Sequence, residues 1–379
     1  MPAKALNGQV ESWSLVDEMR LSGSDSLPFG RILSVAIGPD RSVFVTGTGD
    51  VAVHLLGPDG DYRGTVGREG DGPGEFRTTP SIGIRNDTLW AIDSAQRLVH
   101  YFHLAGRIVG ARRVPDASSA RDLGMMPIAL LDGERFLLLE SAGSTQVAEA
   151  EPEGRFEREL ALLLAETGGV VDVVALDAST LWLQFELPGG IVAATPQPWS
   201  TIDLLAVSPN GDGFVVVRGR GTERRAGRYL LQWFDTDGRT KGARSVEFVA
   251  ADLRKSEIKS FLDGVSEGFA ARSRGDAESV RRTIADALYT PEYLPGVRSD
   301  ARNWSGGGVL MAADGTTWVA QQDSDGMRWR VFDPMTQELA KVGAPEDLSL
   351  RYVGREYVWG VREGEFGTPG LYRYRISRW

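Results

Sequence analysis

Residues 34–67 read SVAIGPDRSVFVTGTGDVAVHLLGPDGDYRGTVG. Three short apolar runs, 35–37, 43–46 and 51–56, are separated by bends rich in Gly, Pro and Asp. Period-2 apolar runs broken by these residues are the grammar of antiparallel hairpins. The same text returns further on. DVAVHLLGPDGDYRG aligns without a gap on QRLVHYFHLAGRIVG, placing Asp50 on Gln96 and Gly60 on Gly106. A strand unit copied along a chain signals a repeat architecture.

The unit is read six times. First strands are expected at 34–37, 81–84, 128–131, 204–207, 309–312 and 348–352, each followed by a turn. Second strands follow at 43–45, 89–91, 136–138, 214–216, 317–319 and 357–359. They are β-branched, aromatic and apolar, as strands buried on both faces should be. Third strands at 53–56, 99–102, 231–234 and 329–332 carry a polar residue in second place: His54, His100, Gln232 and Arg330. An outer strand completes the unit. Four-stranded units repeated radially make a β-propeller. The last unit stops after three strands, and residues 12–21 supply its fourth. That pairing closes the ring and removes an open sheet edge.

The expected fold is therefore all-β: a six-bladed β-propeller forming one domain, 1–379, with blades at about 34–67, 80–115, 127–185, 202–249, 306–343 and 348–379. Residues 156–199 hold extra strand-like text, assigned to the outer part of blade 3. A seventh, degenerate blade is the alternative there.

Between blades 1 and 2 stands Gly67-Arg68-Glu69-Gly70-Asp71-Gly72-Pro73-Gly74-Glu75-Phe76. This string resembles the inter-blade loop of NHL-type six-bladed propellers, and the unit text is similar to the NHL/TolB-like group along most of the chain. The resemblance implies the fold. It does not transfer an activity, because the group holds binding platforms and enzymes alike. Locally the loop reads as structural: its glycines permit tight backbone and Phe76 can plug between blades. A phosphate cradle should open a helix, and this loop opens a strand.

Composition narrows the partners. The net charge of −10 argues against sequence-independent nucleic-acid binding and against unassisted binding to anionic membranes. No apolar run approaches the length of a membrane span, and the first residues show no apolar signal core. A cytoplasmic location is expected, with a periplasmic one, its signal removed, as the alternative. The absence of cysteine removes disulfides, thiolate nucleophiles and Cys-type zinc sites.

Residues 252–289 interrupt the repeat between blades 4 and 5. Ile258, Phe261, Leu262, Val265 and Phe269 share one helical face, and a second helix should start at Asp276 with Val280, Ile284 and Leu288 in register. A helical hairpin is expected, packing on the rim, docking a partner protein or acting as a lid.

No catalytic set converges in the sequence. His54 and His100 hold equivalent positions in adjacent blades, and His100 and His103 point to opposite faces of a strand. Asp-x-Asp-Gly at 235–238 and 323–326 reads as turns rather than calcium loops, lacking further ligands. Asp93, Glu140 and Asp203 are the carboxylates to consider for calcium in the channel. No GxSxG elbow is present. No cofactor is expected. The leading expectation is a non-catalytic scaffold, an accessory subunit among other protein subunits, peripheral to a membrane complex such as a respiratory or photosynthetic one. Its expected contact residues are Phe261 and Phe269 on the helical insert, Arg218, Arg220, Arg224, Arg225 and Arg228 in a basic loop, and Trp379. Clustered Arg suits carboxylate partners and Trp suits an interface anchor. The alternative is a small-ligand binder or metal-dependent lactonase- or lyase-type propeller using the central channel.

Overall fold

A computed structural model describes residues 10–22, 31–115, 125–140, 159–166, 169–178, 182–187, 190–219, 225–273, 276–298, 308–323, 326–333, 337–363 and 369–378. Six four-stranded antiparallel blades stand around one axis. Blade 1 comprises Arg31–Ile37, Val43–Thr48, Val53–Leu56 and Tyr62–Val66. Blade 2 comprises Ser81–Arg85, Thr88–Asp93, Leu98–His103 and Ile108–Arg113. Blade 3 comprises Met125–Leu131, Arg135–Glu140, Glu159–Glu166 and Gly169–Asp177. Blade 4 comprises Leu204–Val207, Phe214–Arg218, Ala226–Phe234 and Thr240–Val249. Blade 5 comprises Val309–Met311, Thr317–Asp323, Gly326–Phe332 and Glu338–Gly343. Blade 6 takes Ser349–Val353, Tyr357–Glu363 and Pro369–Arg378, with Glu11–Ser22 as its outer strand. The fold is a six-bladed β-propeller.

The apolar residues are distributed as the ring requires. Six core clusters each fill one seam between neighbouring blades. Second strands contribute to the seams on both of their faces, which is why their text lacks alternation: Val43, Phe44 and Val45 are all fully buried. The turn between third and fourth strands repeats a single device. Gly60, Gly106 and Gly238 occupy the same place with φ of 83°, 85° and 76°, and a bulge follows in each blade. A left-handed backbone there costs glycine nothing and most other residues about 1 kcal/mol or more.

Closure occurs through the N-terminal strand. Trp13 to Ser22 pair antiparallel with Gly370 to Arg378, and Glu11 to Ser14 also pair in parallel with Ala340 to Gly343 of blade 5. One strand therefore joins the outer edges of blades 5 and 6. Trp13 seats in their seam against Trp318, with ring centroids 6.1 Å apart, and the Arg378 guanidinium lies over its face at 4.7 Å.

The structure corrects the reading of 156–199. Glu159–Glu166 and Gly169–Asp177 complete blade 3, so that blade ends at Asp177 rather than near 185. The next strand, Trp182–Leu187, is not part of it. It pairs with Ile191–Pro196 as a separate two-stranded hairpin. This hairpin is not a seventh blade, because a helical hairpin covers it: α1 (Lys255–Ser273) and α2 (Ala277–Ala287), whose N-cap Asp276 accepts from the Ser279 amide at 2.7 Å. Leu183, Phe185 and Leu187 are buried with Leu262, Val280 and Ile284. Two insertions flanking blade 4 thus share one small core of their own. Among the described residues no helix is long and apolar enough to cross a membrane.

Candidate functional site

First-strand residues point toward the axis, where six copies leave a hole. A cavity of about 510 Å³ lies there, and every blade contributes to its wall. Ser34, Ala36 and Ile37 come from blade 1, Ser81 and Ile84 from blade 2, Ala129 from blade 3, Val207 and Ser208 from blade 4, Leu310 from blade 5, and Arg351 and Tyr352 from blade 6. Asn86 and Asn210 stand at the turns. The Trp90 ring also reaches the cavity, because its neighbour is Gly83: a Cβ there would meet the indole at 2.2 Å.

The chemistry of this wall is specific. Its surface is polar and apolar in about equal measure, with hydroxyl and amide groups among apolar side chains, and Arg351 carries the single charge among its lining residues. Arg351 Nη1 donates to Ser349 Oγ at 2.7 Å, which orients the guanidinium from one side. Burial pushes the Tyr352 phenol above its ordinary range, keeping it neutral and a hydrogen-bond donor. A wall of this kind suits a small organic molecule with one acidic or acceptor group. It does not suit calcium, which needs several carboxylate or carbonyl oxygens.

The three carboxylates considered for a channel ion are occupied elsewhere. Asp93, fully buried, accepts from the amides of Arg77 at 2.5 Å, Ala95 at 2.9 Å and Gln96 at 3.1 Å, and from Thr78 Oγ1 at 2.9 Å. Glu140 accepts from the Ala161 amide at 2.9 Å, and Asp203 from the Asp177 amide at 3.0 Å. Each fastens a strand end, and none lines the cavity. Among the described residues no group of three or more His, Asp or Glu is placed to hold a metal ion.

The histidines behave as third-strand polar residues. His54 Nε2 is 3.0 Å from Asp50 Oδ2, and Tyr62 Oη is 3.4 Å from its Nδ1. His100 Nδ1 accepts from the Gly74 amide at 3.2 Å, so its proton sits on Nε2, which makes no hydrogen bond among the described residues, and Phe76 meets the imidazole in a T shape with centroids 5.2 Å apart. Burial lowers both imidazole pKa values, against the pull of Asp50 on His54 and of Asp93 on His100. In the loop before blade 2, Glu75 receives Arg68 at 2.7 and 2.8 Å and the Gly72 amide at 2.8 Å, and Phe76 is fully buried. The loop is thus a latch between blades 1 and 2.

The residues expected to contact a partner do not form one surface. Phe261 packs on Trp199 and Phe269 on Phe185, with centroids 5.9 and 5.1 Å apart, so both face the chain's own hairpin lobe. Arg218 turns back to blade 3, its Nη2 donating to the Ala175 carbonyl at 2.7 Å and its Nε 3.6 Å from Asp203. Arg228 pairs with Glu247 on the exposed outer strand at 2.6 Å, and Arg225 is exposed nearby. Arg220, Arg224 and Trp379 lie outside the described residues.

Arg351 and Tyr352 were not singled out in the sequence, although the signal was present. Over the six first-strand segments read from the sequence, 34–37, 81–84, 128–131, 204–207, 309–312 and 348–352, Arg351 is the one charged residue; Arg31 and Arg85 stand at the ends of the longer observed strands and do not line the cavity.

The comparison with family models agrees on the fold. A family model described as a 6-bladed beta-propeller matches residues 8–131. No curated protein matches the chain significantly. Among solved structures, a member of the DUF4221 family from Bacteroides vulgatus shares 8% identity over 98% of this chain and 100% of its own, with a TM-score of 0.46. A luciferin-regenerating enzyme shares 10% identity over 95% and 97%, TM-score 0.45. The calcium-binding protein regucalcin from Agrobacterium tumefaciens shares 10% over 97% and 97%, TM-score 0.42. Likeness at this level carries no argument about this chain.

Proposed function

We propose that this propeller acts by binding, and that the central cavity is where its ligand sits. The observation that supports this is the lining: a cavity of about 510 Å³, walled by all six blades, mixing apolar side chains with hydroxyls, amides and the one guanidinium of Arg351. That combination selects a small organic acid with an apolar body, held by Arg351 and ringed by Ser34, Ser81 and Ser208. Among the described lining residues no base stands beside a hydroxyl and no carboxylate is present, and we propose recognition rather than turnover. A thermal-shift screen of small organic acids and their neutral analogues tests it. Acids that stabilise the wild type should lose that effect in Arg351→Gln, and an unchanged shift in that variant would sink the reading.

A role among other protein subunits is the second reading, and one observation favours it. Two insertions flanking blade 4 build a lobe whose core is separate from the six seam clusters. Its apolar faces are mutually covered, so a partner would meet its outer surface, where Val192 and Tyr289 are exposed, or the neighbouring Arg225 and Arg228. Proximity cross-linking on the native protein, with Val192→Glu and Tyr289→Glu as variants, tests this: a reproducible partner lost in the variants supports it, and an unchanged cross-link pattern counts against it.

A further inference from the structure

We infer a second ligand site, separate from the central cavity: an anion-binding pocket at the seam of blades 6 and 1, for a carboxylate or phosphate carried on a flat ring. The pocket measures about 340 Å³. Its charged lining is three arginines, Arg41, Arg355 and Arg373, against one carboxylate, Glu356, in a chain whose net charge is −10. Tyr352, Tyr357 and Trp359 form its aromatic wall.

The cations are held in an unusual way. Arg41 and Arg373 both lie over the ring of Tyr357, at 5.6 and 5.2 Å, and Arg373 also lies over Trp359 at 5.7 Å. Arg41 adds a long contact from Nη2 to Tyr357 Oη, 3.4 Å. Cation–π attraction holds the two guanidiniums against the aromatic wall while leaving N–H donors for a carboxylate or phosphate. Arg373 Nη1 donates to the Pro58 carbonyl at 3.0 Å, but its Nε is buried and makes no hydrogen bond among the described residues. The carboxylate nearest that Nε, Glu18, stands 3.7 Å away and gives its other oxygen to Arg375 at 3.0 Å. Arg41 and Arg355 have no carboxylate partner among the described residues.

The backbone supports the same conclusion. Arg41 sits at φ 68° in the first turn of blade 1, its amide donating to the Gly38 carbonyl at 2.9 Å. The matching turn positions of blades 4 and 5 are Gly211 and Gly315. A side chain at that backbone is strained, and strain of this kind points to a role. Here the side chain it delivers reaches across the seam to Tyr357.

The pocket shares Ile37 and Tyr352 with the central cavity, so the experiment must separate the two. Phenyl phosphate, benzoate, inorganic phosphate and benzyl alcohol are titrated calorimetrically into the wild type, Arg41→Gln, Arg355→Gln and Arg351→Gln. Arg41 and Arg355 are exposed, so their variants should fold, and melting curves check this. Saturable binding of phenyl phosphate and benzoate is expected, at least tenfold tighter than benzyl alcohol and inorganic phosphate. The affinity should fall at least tenfold in Arg41→Gln and Arg355→Gln and persist in Arg351→Gln. Loss in Arg351→Gln alone would assign the anion to the central cavity and overturn the second site. Inorganic phosphate binding as tightly as phenyl phosphate would overturn the ring specificity, and no saturable anion binding at millimolar concentration would overturn the whole proposal.

Discussion

Arg330 donates from Nε to Glu338 Oε1 at 2.9 Å and from Nη2 to the other carboxylate oxygen, a two-pronged pair within blade 5. Arg330 Nη1 continues to Gln321 Oε1 at 2.7 Å and to the Glu247 carbonyl of blade 4 at 3.1 Å. The pair is nearly buried, with side chains 14% and 10% exposed. Removing one member strands the other's charge, which costs about 3 kcal/mol or more. Glu338→Gln should therefore lower the denaturation midpoint strongly. The double variant Arg330→Met/Glu338→Leu should lose less than the sum of its single changes, read from a double-mutant cycle in urea.

Asp93 fastens the start of blade 2 by accepting from four backbone amides, those of Arg77, Thr78, Ala95 and Gln96, and a hydroxyl. Asp93→Ala leaves those donors unpaired in a buried place, at about 1–3 kcal/mol for each fully stranded group. Asp93→Asn keeps one acceptor oxygen and should fall between. Amide exchange at Arg77, Ala95 and Gln96 should rise first, and unchanged protection there would contradict the assignment.

His54 and His100 are both held neutral by burial, with folded pKa values below the ordinary 6.5. Below pH 6.5 the unfolded chain binds protons that the folded chain refuses. Their contribution is therefore complete above pH 6.5 and is lost as pH falls toward the folded pKa values. The melting temperature should drop between pH 7 and pH 5.5. His100→Gln, which places blade 4's residue type in blade 2, should flatten that drop; an equally steep profile would exclude His100 as a cause.

Trp13 holds the closing strand against Trp318 and is 5% exposed. Trp13→Ala should cost about 3–5 kcal/mol. Because the strand joins blades 5 and 6, the first proteolytic cuts in the variant should fall at this edge, and cuts spread evenly over the chain would argue against a closing role.

The ring was legible because its text repeats. Period-2 runs, Asp-Gly turns and the polar residue at 54, 100, 232 and 330 give strand order without tertiary knowledge. The incomplete last unit identified residues 12–21 as its missing strand. Where the text stopped repeating, the reading erred: Trp182–Leu187 has strand composition but no blade partner, since its apolar face was made for α1 and α2. The same contact explains Phe261 and Phe269, whose helical face was legible while what covers it was not. Arg351 and the seam arginines escaped for another reason. A pocket on the axis is assembled from residues hundreds of positions apart, and single arginines in otherwise ordinary strands mean little until the ring closes.

The proposed function rests on a small organic acid binding in the axial cavity. The most direct measurement is a calorimetric titration of an acid that stabilises the wild type into Ser81→Phe, which fills the cavity from blade 2 without adding charge, alongside Arg351→Gln. With melting temperatures near wild type, the Arg351-dependent binding should be one equivalent per chain in the wild type and at least tenfold weaker in both variants. Undiminished binding in Ser81→Phe would place the ligand elsewhere and contradict the account.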